Sequence, residues 1–128
     1  MKYSYPAIFT PEDGGYSVVF PDLEGCYTCG DDMTDAIYMA EDVLALTLYS
    51  YERDKKEIPI PSHSLPLKDG EFINYIACDT LEYQKRFNNK AVKKTLSIPE
   101  WLNEAALSMN INFSQVLQDA LIAKVQTK

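Results

Sequence analysis

The chain predicts an α+β fold in two parts, a β-β-β-α-β layer over residues 1–81 and a β-α-α module over residues 91–128, with a polar linker at residues 82–90. Three observations predict it. Short alternating stretches broken by Gly and Pro fill residues 2–30, one long helical pattern follows, and the last 38 residues read as a strand and two short amphipathic helices. A tail of that size lies below the roughly 40 residues that a self-sufficient core needs, so it holds its shape only when a second copy completes it. At 128 residues and 46% hydrophobic, with nine Tyr and five Phe, the chain has material for one small core plus an appended module.

Lys2 to Phe9 alternates, with Tyr3, Tyr5, Ala7 and Phe9 on one face. Pro6 cannot donate to a ladder, which predicts an edge strand or a bulge there. Pro11-Glu12-Asp13-Gly14-Gly15 is a turn and Tyr16 to Phe20 resumes as a strand, so the pair reads as a hairpin. A second turn, Pro21-Asp22-Leu23-Glu24-Gly25, precedes a short strand from Cys26 to Gly30. Asp31 or Asp32 then caps a helix that continues to the neighbourhood of Arg53. Ala36, Ala40, Val43, Leu44, Thr47, Leu48 and Tyr51 recur along it at helical spacing, and Asp32 and Asp35 stand where the helix dipole favours negative charge. Asp54 to Pro66 carries Pro59, Pro61 and Pro66 and reads as an extended connection. Glu71 to Asp79 alternates as the last strand of the layer, and Leu81 to Lys90 is polar enough to be the linker.

The net charge of −7 hides an asymmetry. Residues 1–81 carry 15 acids and five bases, whereas residues 82–128 carry four acids and seven bases. Such a split points to two surfaces with partners of opposite sign. No apolar run approaches the roughly 18 residues of a membrane span, and Met1-Lys2-Tyr3-Ser4-Tyr5 opens like a strand rather than a signal peptide. Three cysteines, an odd number, argue against a disulfide framework and for a reducing, cytoplasmic setting.

In the basic module, Ala91 to Ile98 alternates. Val92, Lys94, Leu96 and Ile98 point one way, and Leu96 and Ile98 must pack on the helices, which leaves Lys93, Thr95 and Ser97 on the exposed face. Two copies would offer six such side chains on a narrow two-stranded ribbon of the width the DNA major groove admits. Lys can donate to guanine, Thr and Ser can donate or accept, and the Thr methyl can touch thymine. Pro99 suits the start of a helix whose stripe is Ile98, Leu102, Ala105, Ala106 and Met109. Asn110 suits a left-handed C-terminal position. Asn112 then caps a second helix with Val116, Leu117, Ala120 and Leu121 on its apolar side, and the backbone N–H groups of Phe113, Ser114 and Gln115 form a natural phosphate site. The expected dimer core is Leu96, Ile98, Leu102, Met109, Val116, Leu117 and Leu121.

The strand, Ile98-Pro99-Glu100-x-Leu102, a helix, the Ile111-Asn112-x-Ser114 turn and a second helix together resemble a ribbon-helix-helix DNA-binding domain. The stretch Asp13-Gly14-Gly15-Tyr16-Ser17-Val18-Val19-Phe20-Pro21-Asp22-Leu23-Glu24-Gly25-Cys26, continuing through Gly30-Asp31 into the Asp35-Ala36 helix, resembles the antitoxin half of the HicBA toxin–antitoxin family. The resemblance implies an incomplete ribonuclease-H-like first domain that masks a small mRNA-cleaving toxin, and a second domain that represses the operon as a homodimer on a palindromic operator. Carried onto this chain, the base-reading positions are Lys93, Thr95 and Ser97, with Lys94 counted among the DNA contacts, and the phosphate anchor is Asn112, Phe113, Ser114 and Gln115. Asn110 and Ser97 stand where many ribbon-helix-helix proteins have Gly and Arg, which implies a different operator sequence. The acidic first part suits a competitor for a toxin that grips RNA. Asp13, Asp22, Glu24, Asp31 and Asp32, clustered at strand ends and turns, are the candidate toxin contacts, and any hetero-oligomer beyond the dimer is left open.

Other motifs weigh less. Cys26-Tyr27-Thr28-Cys29 matches C-x-x-C, but strand parity turns the two thiols to opposite sides, and Cys78 and His63 lack metal-ligand spacing, so no metal or cofactor is expected. His63 lies between prolines with no oriented partner or nucleophile, and no catalytic residue is assigned. Asp22, Asp31, Asp32, Asp35, Glu41 and Asp42 could suggest a two-metal nuclease, yet they lie close together in sequence rather than on separate strands. The tyrosines read as core and interface residues. Two alternative functions stay open: a metal-dependent nuclease using the first domain, and a dimeric ligand-sensing transcription factor.

Overall fold

Asp13 and Gly14 turn the chain back on itself, and the sheet grows from that reversal. In the computed structural model, which describes residues 1–126, β1 (Lys2–Glu12) and β2 (Gly15–Val19) form an antiparallel hairpin. Gly14, at φ 76°, lets the loop close with Glu12 opposite Gly15, so the strand runs through Pro11 and Glu12 rather than stopping at Phe9. The Pro21–Gly25 turn is closed by the Phe20 N–H on the Cys26 carbonyl at 2.9 Å, and β3 (Tyr27–Gly30) follows. After α1 (Met33–Arg53), β4 (Phe72–Asp79) returns to pair with β1, giving the antiparallel order β3-β2-β1-β4. The predicted β-β-β-α-β order holds.

β1 is thus an interior strand, not the edge that Pro6 suggested. The ladder between β1 and β2 ends at Ile8 opposite Val19, so the side of residue 6 that lacks an N–H faces no strand. The proline costs no ladder bond there.

One face of the sheet carries α1. Ala36, Ala40, Leu44 and Leu48 are fully buried against Tyr5, Ala7, Phe9, Val18, Phe20 and Ile76. Burying a leucine such as Leu44 or Leu48 is worth about 1.5–3 kcal/mol over leaving it exposed. Asp32 caps the helix by accepting the Asp35 N–H at 2.7 Å. Its first turn can sit close because Gly30 has no side chain, since a Cβ there would lie 2.3 Å from the Ala36 nitrogen. The far end closes on Lys55 at φ 55°, with the Lys56 N–H on the Tyr51 carbonyl and the Lys55 N–H on the Glu52 carbonyl, a Schellman arrangement. The long connection to β4 is held by the Tyr5 hydroxyl, which donates to the Pro59 carbonyl, and by the Asp22 carboxylate, which accepts from the Ser62 N–H at 2.9 Å and from its hydroxyl.

The segment expected as a linker is largely a helix, α2 (Thr80–Phe87). Asp79 caps it by accepting the Leu81 N–H at 3.0 Å, and its aromatic side packs on α1, Tyr83 lying 5.8 Å from Tyr49 and 4.8 Å from Phe87 between ring centroids. The chain divides into two compact units, Met1–Lys90 and Ala91–Lys128. Lys85, Arg86 and Lys90 therefore fall in the first unit, which holds 16 acids and eight bases, while the second holds three acids and four bases. The sign asymmetry survives in a milder form.

In the second unit, Ala91–Ile98 has no strand, contrary to expectation. A strand needs a ladder, and among the described residues of this unit no second extended segment pairs with it. Two helices follow, α3 (Glu100–Ser108) and α4 (Phe113–Gln126). Pro99 stands just before α3, and its carbonyl accepts the Leu102 and Asn103 N–H groups at 3.1 Å. Asn110 takes the left-handed conformation at φ 55°, with the Ile111 N–H on the Ala106 carbonyl and the Asn110 N–H on the Leu107 carbonyl, the same Schellman closure.

Candidate protein and nucleic-acid interfaces

The hairpin register collects acids at one end of the sheet. Glu12 and Asp13 lie at the β1–β2 turn, Asp31, Asp32 and Asp35 at the start of α1, and Asp69 and Glu71 at the entry to β4. Tyr16 opposite Gly30 and Phe9 opposite Phe72 place these turns side by side. Several of the acids have structural duties as well. Asp35 accepts the Asp31 N–H at 2.9 Å, and Glu71 accepts the Lys68 N–H at 2.7 Å and the Thr10 hydroxyl at 3.4 Å. Of the five sequence candidates, Asp13, Asp31 and Asp32 thus meet, joined by Glu12, Asp35, Asp69 and Glu71. Asp22 and Glu24 do not; they sit in the turn between β2 and β3, at the other end.

Reading the sequence missed a second feature on α1. Arg86 of α2 donates to the Tyr38 hydroxyl at 3.3 Å, lies 3.7 Å from Asp42 and stacks over Phe87. Asn88 donates to the Tyr49 hydroxyl at 3.4 Å. The signals were the Asp79-Thr80-Leu81-Glu82 capping pattern and the Tyr83 and Phe87 pair four residues apart.

In the second unit Lys93, Lys94, Thr95 and Ser97 are all exposed. Asn112 does cap α4, its side chain accepting the Gln115 N–H at 3.0 Å. That bond occupies one of the three expected phosphate donors, leaving the Phe113 and Ser114 N–H groups. Of the side chains expected in a dimer core, Leu96, Ile98, Leu102, Met109, Val116 and Leu121 are exposed in the single chain, Met109 by 70%, and Leu117 is partly covered; Ala106 is buried.

The thiols follow strand parity: Cys26 is buried and Cys29 exposed. Burial pushes the Cys26 thiol up, and burial, with Asp79 and Glu52 nearby, pushes Cys78 up to about 12. Burial first, and then donation to Glu52 at 2.6 Å, raises the Tyr3 hydroxyl above its ordinary range. These shifts keep the groups neutral, the opposite of what an activated nucleophile requires. His63 lies in an exposed loop. Among the described residues no group of three or more His, Cys, Asp or Glu side chains could hold a metal ion, and no helix is long and apolar enough to cross a membrane. A shallow groove of about 390 Å³, lined by Lys2, Tyr3, Ser4, Ala77, Cys78 and Asp79, lies between the ends of β1 and β4.

Known proteins share part of this sequence and its fold. Over 58 residues the chain is 40% identical to "Antitoxin HicB 2" of Photorhabdus laumondii, a match spanning 45% of this chain and 42% of that protein. Over 59 residues it is 37% identical to "Antitoxin HicB" of Escherichia coli K12, spanning 45% and 43%. The match thus takes in about two fifths of either curated relative. A chain of a toxin–antitoxin complex from Streptococcus pneumoniae superposes with a TM-score of 0.61 at 30% identity, covering 97% of this chain and 99% of that one. The crystal structure of antitoxin HicB3 shares the fold, with a TM-score of 0.52 at 23% identity over 96% and 98% of the two chains. The family model for the HicB-like antitoxin of bacterial toxin–antitoxin systems matches residues 4–78, more than half of the sequence, and the chain belongs to that family.

Proposed function

We propose that this chain is an antitoxin and autorepressor. Its Met1–Lys90 unit masks the RNA-binding surface of a small basic ribonuclease toxin. Its Ala91–Lys128 unit, paired with a second copy as a ribbon-helix-helix homodimer, binds a palindromic operator. Lys93, Thr95 and Ser97 read bases, Lys94 adds a DNA contact, and the Phe113 and Ser114 N–H groups hold a phosphate at the start of α4, where Asn112 caps the helix through the Gln115 N–H. The family match over residues 4–78 carries the reading. Two features support it. Glu12, Asp13, Asp31, Asp32, Asp35, Asp69 and Glu71 converge on one end of the first unit, a surface that attracts a basic protein and speeds its association. The second unit leaves its apolar residues exposed, an arrangement that a second copy relieves.

The test is co-expression of this chain with the product of the adjoining reading frame. A small basic protein that arrests growth alone, is rescued by this chain and co-purifies with it is the expected result. Absence of any such partner defeats the proposal. The double variant Lys93→Ala and Thr95→Ala is expected to abolish operator binding in a gel-shift assay while rescue persists. A normal shift removes those residues from the reading face.

A further inference from the structure

The backbone of β4 is open on one side. It is the last strand of the sheet, and among the described residues only β1 offers it ladder bonds. The register tells which groups are free. Glu12 opposite Gly15 closes a two-residue loop and so forms a hydrogen-bonded pair, which turns the even residues of β1 toward β2 and the odd ones toward β4. Phe72, Asn74, Ile76 and Cys78, opposite Phe9, Ala7, Tyr5 and Tyr3, are thus bonded to β1. The Thr80 N–H on the Met1 carbonyl at 2.9 Å, flanking the Lys2–Asp79 pair, fits the same alternation. Ile73, Tyr75 and Ala77 therefore direct their N–H and C=O groups outward.

Proteins ordinarily guard such an edge with lysine, proline, a bulge or a short strand. β4 has eight residues and none of these devices. Phe72 to Cys78 carries no charge, and the side chain of Tyr75 is 61% exposed on the face away from α1. Acids stand before the strand, at Asp69 and Glu71, whereas after it Asp79 faces the Met1 ammonium at 3.7 Å and Glu82 pairs with Lys85 at 3.1 Å. An edge with an apolar centre and an acidic entry fits an extended segment of alternating apolar residues that carries Lys or Arg at one end.

We infer that the basic toxin proposed above docks by adding a strand to β4, main chain to main chain, with its cations against Asp69 and Glu71. This inference rests on that functional reading. Strand addition makes recognition depend on backbone donors that side-chain truncations leave intact.

Residue-resolved hydrogen exchange on the full chain, with and without the co-expressed product of the adjoining reading frame, tests it. The amides of Ile73, Tyr75 and Ala77 are expected to exchange quickly in the free chain and to be protected in the complex, while those of Asn74, Ile76 and Cys78 are slow in both. Ala77→Pro removes an outward N–H without touching the β1 ladder, and is expected to weaken the complex by about tenfold or more while operator binding and circular dichroism stay unchanged. A complex that forms with unaltered exchange at residues 73, 75 and 77 overturns the inference and leaves the functional reading standing. Absence of any complex removes both. Concentration-dependent protection of the same amides in this chain alone assigns the edge to a second copy and overturns it too.

Discussion

Leu121→Ala measures how far the second unit depends on its twin. Leu121 is 54% exposed in the single chain, on the apolar side of α4 with Val116 and Leu117. Fully burying a leucine is worth about 1.5–3 kcal/mol, so covering the exposed half contributes about 1 kcal/mol in each copy. A two-fold interface counts every substitution twice, so the variant loses about 2 kcal/mol of dimer stability, and the cavity left by truncation adds to that loss. At 1.4 kcal/mol per decade, the dimer dissociation constant rises by about 30-fold or more. Sedimentation velocity across a dilution series reads this directly, and Trp101, the sole tryptophan and 69% exposed on α3, supplies a fluorescence signal for the same equilibrium. If wild type and variant dissociate at the same concentration, or the wild type remains a folded monomer with full helical signal at nanomolar dilution, the requirement for a second copy is refuted.

Three further outcomes follow from local geometry. Gly30→Ala places a methyl 2.3 Å from the Ala36 nitrogen, and pushing α1 off the sheet should cost about 1–3 kcal/mol in a urea titration; an unchanged midpoint would show that the close approach is not needed. Lys55→Gly relieves a left-handed non-glycine residue at the end of α1 and should stabilise the first unit by about 0.5–1 kcal/mol, seen as a higher melting temperature; a lower one would contradict the Schellman assignment. Cys78 is held neutral in the fold up to about pH 12, whereas in the unfolded chain it ionises near its ordinary value of 9, so its stabilising contribution is complete below pH 9 and is lost as pH rises toward 12. Cys78→Ala should flatten that alkaline loss, and at pH 8 a thiol reagent should label Cys29 well before Cys26 or Cys78. Equal labelling rates would refute the burial argument.

The legible parts of this fold were those that neighbours in sequence decide. A cap at Asp31 or Asp32, the seven small and apolar positions of α1, a reversal within Pro11–Gly15 and the left-handed Asn110 each rest on a few adjacent residues; the structure puts the cap on Asp32 and narrows the reversal to Asp13-Gly14. What escaped depended on distant partners. α2 is short and polar on its own, and only Tyr38, Asp42 and Tyr49 of α1 explain its aromatic and basic side. Pro6 argued for an edge because the sequence does not show where the ladder of β2 stops. Asp22 and Glu24 lie near Asp13 and Asp31 in sequence, yet the β2–β3 hairpin holds them at its opposite ends, the length of β2 apart. The strand expected at Ala91–Ile98 requires another strand beside it, and the described residues of its own unit supply none.

The pairing of β1 with β4 joins residues 2–9 to residues 72–79. During synthesis the first three strands and α1 leave the ribosome with β1 bare along one side until Asp79 emerges. Contacts so far apart in sequence close slowly. Messages cut upstream of that codon would therefore yield fragments whose tyrosine-rich strand is unsheathed, prone to clump and open to proteases.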